Sequence, residues 1–323
     1  MLYDPINISG LELKNRLVMP PMQSDRTDRG RVTDELVDYY RQRALYSQPG
    51  LIVIEHSCIT EAGRASANQL SIADDDCIPG HRRLVDAIHE AGSRVFVQLN
   101  HGGNAAEPFD GGELVSASDV GNPRKPLPRL PRPLTIPEIG QLETAFVQAT
   151  LRALEAGYDG VEIHCAHGYL LNQFYSPLTN RRTDAYGSGS IEDRTRFLRE
   201  VMTQVRAAIG DTPMAVRLGG ADYLPGGSTE EDAVAAARLI AETGADLLDV
   251  SGGMCGYNRP EHREPGYFGS MTEAIRQAVT LPVLLTGGVR DKTAAEELLL
   301  SGKADLIGVG RALFRDAHWA EKN

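Results

Sequence analysis

The sequence lacks paired cysteines and long hydrophobic runs. Its four cysteines, Cys58, Cys77, Cys165 and Cys255, are far apart, and no Cys-x-x-Cys pair occurs. This spacing disfavours a disulfide framework and a structural zinc site. The chain also has no run of about 18 apolar residues, as a membrane-spanning helix would need, and no apolar leader after Met1. We therefore expect a cytoplasmic protein that does not contact a membrane.

The sequence also has fewer basic than acidic residues. Lysine and arginine together number 33 against 44 acidic residues, which leaves a net charge of -11. Nucleic-acid binding needs a basic face, so we expect no nucleic-acid partner, and an anionic ligand would need a local arginine or a helix N-terminus. With 323 residues and 41% apolar composition, the chain can bury a large core. We expect residues 1–323 to form one domain.

Short apolar runs alternate with amphipathic segments along most of the chain. This alternation is typical of a parallel sheet covered by helices. Eight strands are predicted, at residues 16–20, 51–55, 94–98, 160–164, 214–218, 247–251, 283–286 and 306–309. Residues 6–13 alternate around Ser9-Gly10 and predict a β-hairpin that plugs the bottom of a closed barrel. The predicted fold class is α/β, a single (β/α)8 barrel (TIM barrel).

Two segments interrupt the alternation. Residues 104–137, after the third predicted strand, are rich in proline and glycine, which excludes a helix or a central strand. We expect this long loop to cover the barrel mouth; the alternative is a linker between two domains. Residues 252–267 are also irregular and follow a strand, where such barrels place their substrate loops.

The most informative residues follow the fourth predicted strand, where an apolar run stops at His164, His167 and Tyr169. Two imidazoles can donate hydrogen bonds to an oxygen that gains negative charge, and a phenol can deliver a proton to a carbanion-like carbon. The group therefore indicates a catalytic site. Two alternatives stay open: ordinary hydrogen-bonded polar residues at a strand end, and a zinc site that also uses Cys165.

Glycine-bearing turns follow the seventh and eighth predicted strands, at Gly287-Gly288 and at Gly310-Arg311. A glycine pair alone can mark only a turn. In (β/α)8 barrels, however, these two loops commonly bind phosphate through backbone N–H groups. The mouth would then have a phosphate site on one side and the His164, His167 and Tyr169 side chains on the other. This arrangement indicates a nucleotide-like cofactor that lies between them.

Motifs along nearly the whole chain resemble those of the Old Yellow Enzyme family of FMN-dependent ene reductases. Near the start are Leu13-Lys14-Asn15-Arg16 and Pro21-Met22. The central motifs are Gln98-Leu99-x-His101-x-Gly103, His164-x-Ala166-His167-Gly168-Tyr169-Leu170 and Phe174-x-Ser176-Pro177-x-Thr179-Asn180-x-Arg182. Further matches are Glu192-Asp193-Arg194, Val216-Arg217-Leu218 and Ile307-Gly308-x-Gly310-Arg311.

The resemblance implies an FMN site and assigns roles to single residues. The flavin ring would contact Pro20, Pro21, Met22 and the backbone of His56. Gln98 would bind the pyrimidine edge, and Arg217 would lie near N1 and O2, where a permanent cation stabilises the reduced anionic flavin. The phosphate would bind at Gly287, Gly288, Gly310 and Arg311. For Gln98 and Arg217, an ordinary hydrogen-bond network inside the barrel is the alternative.

The implied reaction has two halves. NADPH or NADH reduces the flavin, and the reduced flavin then reduces the C=C bond of an α,β-unsaturated carbonyl compound. His164 and His167 would bind the carbonyl oxygen, Tyr169 would protonate the α-carbon, and Gln23 would join them in substrate binding. The catalytic residues are thus expected to be Tyr169, His164 and His167, without a metal.

The chain departs from the family pattern in several places, among them residues 23 and 56 and the polar rim of Ser24, Asp25, Arg26 and Thr27. Residue 23 is Gln where many relatives have Cys or Thr, and His56 replaces a smaller residue. Other functions stay open: a C–N bond-oxidising flavoprotein like the amine dehydrogenases, a flavin-binding protein without turnover, or a tRNA-modifying flavin barrel. The sequence leaves undetermined the physiological substrate, the choice between NADH and NADPH, the stereochemistry and whether the chain forms a homo-oligomer.

Overall fold

Eight parallel strands form a closed barrel in the computed structural model, which describes residues 1–107, 112–124 and 130–322. The strands described are β1 (Ile6–Ile8), β2 (Leu11–Leu13), β3 (Leu17–Met19), β4 (Leu51–Cys58), β5 (Arg94–Asn100), β6 (Val115–Ser116), β7 (Arg132–Pro133), β8 (Gly160–Cys165), β9 (Met214–Ala221), β10 (Leu247–Gly252), β11 (Val283–Thr286) and β12 (Leu306–Gly308). The barrel order is β3-β4-β5-β8-β9-β10-β11-β12, so neighbours in space are neighbours in sequence. The predicted (β/α)8 barrel is confirmed.

Helices connect the barrel strands. Those described are α1 (Asp34–Tyr46), α2 (Ile78–Glu90), α3 (Ile136–Ala156), α4 (Leu170–Tyr175), α5 (Ile191–Ile209), α6 (Glu230–Ala241), α7 (Gly269–Ala278), α8 (Lys292–Leu300), α9 (Arg311–Arg315) and α10 (Trp319–Lys322). Gly157, with φ 98°, ends α3 in the left-handed conformation, which glycine adopts without strain. Within the described ranges, no helix combines the length and apolar character needed to cross a bilayer.

All eight predicted strands are present, but several ends differ from the prediction. β4 continues three residues beyond residue 55, through His56, Ser57 and Cys58, which are 7%, 0% and 0% exposed. Its register against β5 shifts between Ile54 and Ser57, the signature of a bulge. The apolar pattern stops where the barrel interior becomes polar, although the strand itself goes on. β3 is shorter than predicted and ends before Pro20, which has no N–H to donate to the ladder.

The long segment after β5 contains the two-residue strands β6 and β7, which pair with each other outside the barrel. Its predicted end at residue 137 is wrong, because α3 starts at Ile136. Proline is tolerated in the first helical turn, and Thr135 with Glu138 forms a capping box there. Residues 108–111 and 125–129 of this segment lie outside the described residues.

The described part of the same segment contacts the loop that follows β8. The Asn122 side-chain amide donates to the Gly168 carbonyl at 3.1 Å, and an Arg124 guanidinium nitrogen donates to the His167 carbonyl at 2.5 Å. This contact fits the expectation that the segment covers the barrel mouth rather than linking two domains.

The N-terminal hairpin closes the other end of the barrel, as predicted. β1 and β2 pair antiparallel, with Ile6 opposite Leu13. Ile8 and Leu13, 1% and 0% exposed, pack into one apolar cluster with barrel residues that include Leu51 and Phe96. The polar mouth and the apolar bottom are therefore at opposite ends of the barrel.

Leu13→Ala tests the plug. The substitution leaves a cavity beneath the barrel, so we expect the free energy of unfolding in urea to fall by about 2–5 kcal/mol. Glu12→Ala is the matched control, because Glu12 is the exposed neighbour on the same strand and should cost less than about 0.5 kcal/mol. Equal effects of the two substitutions would show that the hairpin is peripheral.

Candidate active site

One cavity of about 820 Å³ lies at the carboxyl ends of the barrel strands. Its size falls in the range of small-molecule and cofactor sites. Every site residue predicted from the sequence lines it: Pro20, Pro21, Met22, Gln23, His56, Gln98, His164, His167, Tyr169, Arg217, Gly287, Gly288, Gly310 and Arg311. These residues come from seven different barrel strands or the loops after them, and barrel closure brings them together.

His164, His167 and Tyr169 form one cluster in this cavity. His164 belongs to β8, and the turn to α4 carries the other two, with φ of 61° at His167 and 75° at Gly168. The His164 ring centroid lies 5.1 Å from that of His167 and 5.3 Å from that of Tyr169. The Nε2 atom of His167 is 2.8 Å from the Ser251 hydroxyl oxygen, which fixes that ring.

His164 is 2% exposed, and its Nδ1 has no hydrogen-bond partner among the described residues. A buried polar atom without a partner is costly, so its presence in a cavity marks a place where a ligand can complete the hydrogen bonding. The His164 Nδ1 atom without a hydrogen-bond partner and the fixed ring of His167 together favour the binding of a ligand oxygen between the two imidazoles.

Burial makes the cluster neutral. It lowers the pKa of His164 and His167 well below 6.5, and the cations Arg217 and Arg124 lower it further. Burial raises the pKa of Tyr169 above 10. At neutral pH the cluster therefore offers uncharged imidazole donors and a phenol that keeps its proton.

We expect the affinity of the protein for a neutral ketone to change less than about twofold between pH 6 and pH 8. Burial lowers the pKa of both imidazoles well below 6.5, so we expect neither ring to change its charge within that window. Titration of the oxidised protein with cyclohexanone at several pH values measures this. An affinity that changes with a midpoint near pH 6.5 would contradict the assigned neutral state.

Beneath the cluster, three buried ionisable side chains meet. The Arg217 Nε lies 3.2 Å from Asp249 Oδ2, close enough for an ion pair but not aligned for a hydrogen bond. The Thr286 hydroxyl donates to Asp249 at 2.8 Å, and the Gln98 amide nitrogen donates to Glu162 at 3.4 Å. Glu162 and Asp249 were missed from the sequence, although an acidic residue between apolar neighbours in a buried strand is a visible signal.

A single proton shared by two carboxyl groups explains how Glu162 and Asp249 can be buried beside one cation, Arg217. Burial raises the pKa of Glu162 well above 4.5, and the nearby charge of Asp249 raises it further. The pKa of Asp249 is also raised by burial, but Arg217 and the Thr286 hydroxyl oppose the rise. Glu162 therefore holds the proton and can donate a hydrogen bond to Asp249, which remains the counterion of Arg217.

Glu162→Gln and Asp249→Asn form a matched pair that tests this proton. Glutamine is an uncharged donor of similar shape, so we expect Glu162→Gln to change the free energy of unfolding by less than about 1 kcal/mol. Asp249→Asn leaves the Arg217 charge buried without a counterion, and we expect a loss of about 3–5 kcal/mol. Urea unfolding at pH 7 measures both, and the reverse order would place the charge on Glu162.

The opposite side of the cavity is rich in arginine. Arg290, Arg311 and Arg315 all line it in a chain with a net charge of -11, and none of them forms an ion pair with a carboxylate within the described ranges. Arg311 was predicted, whereas Arg290 and Arg315 were missed. Three guanidinium groups without acidic partners favour an anionic group, as phosphate would be.

The neighbouring glycines also have a packing role. A Cβ atom on Gly287 would lie 2.9 Å from the Phe268 ring, and one on Gly288, at φ 72°, would lie 2.6 Å from the Tyr267 ring. Packing alone therefore explains why these positions are glycine. The arginines, rather than the glycines, point to the phosphate.

The rest of the cavity suits a flat aromatic group. Pro20, Pro21 and Met22 supply an apolar wall between the two polar ends, and the aromatic side chains Tyr257, Tyr267 and Phe314, which the sequence did not single out, also line the cavity. An apolar middle, an arginine-rich end and a neutral donor cluster fit the ring system and phosphate of FMN. In the described part of the chain, no group of three or more His, Cys, Asp or Glu residues is arranged to hold a metal ion.

Comparisons with known proteins identify the family of the chain. The family model described as "NADH:flavin oxidoreductase / NADH oxidase family" matches residues 1–323. The chain belongs to this family. It is 39% identical over 321 residues to an NADPH dehydrogenase of Geobacillus sp. (strain WCH70), covering 99% of this chain and 92% of that protein. The expected FMN cofactor and nicotinamide reductant are those of this family.

Two further similarities set the extent of the match. An NADH oxidase of Thermoanaerobacter brockii is 37% identical over 330 residues, which is 99% of this chain but 50% of that protein. The chain thus spans about half of one curated relative and nearly all of another. The solved structure of an Old Yellow Enzyme homologue from Zymomonas mobilis matches with a TM-score of 0.84 at 29% identity, covering 97% of this chain and 89% of that one. The resemblance to the Old Yellow Enzyme family is confirmed.

Proposed function

We propose that this chain is an FMN-dependent ene reductase, which uses NADPH or NADH to reduce the C=C bond of an α,β-unsaturated carbonyl compound. The observation that carries the proposal is the neutral cluster of His164, His167 and Tyr169 in the same cavity as Arg217 and the three arginines. Bound FMN would accept a hydride from the nicotinamide and return it to the substrate.

The two imidazoles bind and polarise the substrate in this proposal. His164 has an unmet ring nitrogen, and His167 is held by Ser251, so both can direct an N–H at a carbonyl oxygen. Their hydrogen bonds strengthen as negative charge develops on that oxygen, which draws electrons from the β-carbon and prepares it for hydride. Because both rings are uncharged, each can donate a hydrogen bond to the developing enolate oxygen without being acidic enough to transfer its proton to it.

Tyr169 supplies the proton that completes the reduction. Its ring lies 5.3 Å from that of His164, which would bind the carbonyl, and its raised pKa keeps the phenol protonated until the α-carbon becomes basic. The overall reaction takes up one hydride from NAD(P)H and one proton, and it yields a saturated carbonyl compound and NAD(P)⁺.

Arg217 and Gln98 would hold the FMN ring. Arg217 is 3% exposed, and a guanidinium is a permanent cation, so this side chain can stabilise negative charge in the ring after reduction. Asp249 balances that charge when the ring is neutral. Arg290, Arg311 and Arg315 would bind the phosphate at the other end of the cavity.

Tyr169→Phe separates the two half-reactions. We expect reduction by NADPH or NADH to stay within about threefold of wild type, because it needs no proton from Tyr169. Reoxidation by 2-cyclohexenone should slow by about 10² to 10⁴, since the general acid is missing. Anaerobic stopped-flow absorbance of the flavin measures both rates.

Tyr223→Phe serves as the control for loss of a phenol, because the Tyr223 hydroxyl donates to Glu230 outside the cavity. It should leave both rates near wild type. Equal slowing of both half-reactions in Tyr169→Phe would contradict the assigned role. A wild-type protein that is reduced by the nicotinamide but never reoxidised by any enone would overturn the proposed substrate class.

A further inference from the structure

Two of the residues that depart from the family pattern contact each other. Gln23 follows β3 and His56 lies in β4, and the Gln23 Oε1 is 3.1 Å from the His56 Nε2. Both side chains line the cavity. The expectation that only the backbone of His56 contributes is therefore incomplete, because its ring is part of the cavity wall.

Hydrogen bonds fix the tautomer of His56. The Gln69 amide nitrogen lies 2.9 Å from His56 Nδ1, and the Asn100 amide nitrogen lies 3.2 Å from the same atom. The Gln69 amide is itself oriented, since its oxygen accepts from the Ala65 N–H at 2.6 Å. Amide nitrogens only donate, so Nδ1 accepts and Nε2 carries the hydrogen. Burial lowers the His56 pKa to about 4, which keeps the ring neutral.

The Gln23 side chain is fixed in the same way. Its amide nitrogen donates to Asp25 at 2.6 Å and to the Ser66 hydroxyl at 2.8 Å. Its oxygen is therefore directed at His56, where it accepts the Nε2 hydrogen. Both ring nitrogens of His56 are occupied by protein groups, so the ring can offer a ligand its bulk but not a hydrogen bond.

The ring of His56 packs against the proton donor. Its centroid is 5.2 Å from that of Tyr169, with 32° between the planes, and 6.4 Å from that of His164. His56 is 7% exposed, so little of the ring is free to move. A rigid, neutral ring thus occupies the cavity wall directly beside the phenol.

We propose that the His56–Gln23 pair is a specificity element that restricts the size of the substituent on the substrate carbon that Tyr169 protonates. This inference rests on the proposed function, because it takes the α-carbon of an enone to lie beside Tyr169. A small residue at position 56 would leave that space open. The substrates favoured by this chain are therefore enones with hydrogen or a small group at the α-carbon.

The test compares 2-cyclohexenone with 2-methyl- and 2-phenyl-2-cyclohexenone, which differ only at the α-carbon. In His56→Ala, the ratio of kcat/KM for the 2-phenyl compound to that for 2-cyclohexenone should rise by about 10-fold or more, since a few carbon atoms in a pocket are worth 10- to 200-fold. His56→Phe keeps the ring volume, so the ratio should stay near wild type. An unchanged ratio in His56→Ala would overturn the proposal.

A binding measurement keeps the test independent of turnover. The dissociation constants of 2-phenylcyclohexanone and cyclohexanone are measured by the change in flavin absorbance of the oxidised, FMN-loaded protein. The dissociation constant of 2-phenylcyclohexanone divided by that of cyclohexanone should fall in His56→Ala, because the larger ketone gains space. It should stay near wild type in His56→Phe. If wild type binds both ketones but reduces no enone, the proposed function fails while the size restriction can still be confirmed or refuted.

Gln23→Ala covers the case in which His56→Ala does not fold. Loss of the Gln23 oxygen removes the acceptor that fixes the His56 ring. The ratio of kcat/KM for the 2-phenyl compound to that for 2-cyclohexenone should therefore rise, but by less than in His56→Ala. Gln42→Ala is the control, because Gln42 is half-buried on α1, does not line the cavity and bonds only to Asp38 in the described structure. A rise of equal size in Gln42→Ala, or none in Gln23→Ala, would contradict the pair.

Discussion

Closure of the parallel sheet is the constraint on which the site depends. Each of eight strands ends with its carboxyl end on the same rim, so residues as distant as Pro20 and Arg311 line one cavity. The hairpin of β1 and β2 seals the opposite end with apolar side chains such as Leu13. The barrel can therefore bury charged and polar groups at the mouth, because the apolar lower half and the surrounding helices supply the stability that those groups cost.

Charge balance in the buried half of the cavity follows from that burial. The imidazoles of His164 and His167 are neutral, Glu162 keeps its proton, and the charge of Arg217 is balanced by Asp249. An uncharged, rigid set of donors needs no rearrangement when negative charge develops on a bound oxygen, which is the condition for electrostatic catalysis. The free cations lie at the other end, among the arginines, where a phosphate would bind.

Much of this could be predicted from the sequence, because the informative residues lie close together along the chain. The His164–Tyr169 segment and the recurring strand pattern identify the cluster and the barrel without any long-range contact. Strand ends were less predictable. His56 and Ser57 look like a loop, since polar residues have the same pattern whether they are exposed or buried at a barrel mouth.

Long-range contacts were beyond sequence reasoning. The ion pair between Arg217 and Asp249 joins neighbouring strands, and its register becomes known only when the barrel is built. The hydrogen bond between Gln23 and His56 crosses from one βα loop to the next strand, so each residue alone looked like an isolated departure from the family pattern. Tyr257 and Tyr267 lie in an irregular segment whose side chains have no periodicity to follow.

The most direct test of the account is the affinity of the apoprotein for FMN and for riboflavin, measured by flavin fluorescence in wild type and in Arg311→Gln. In this account, FMN binds with its phosphate among the three arginines and its ring beside His164. We therefore expect wild type to bind FMN at least about 100-fold more tightly than riboflavin, and Arg311→Gln to lose much of that preference while binding riboflavin normally. Equal affinity for the two flavins, or an equal loss for both in the variant, would show that the phosphate binds elsewhere and would contradict the account.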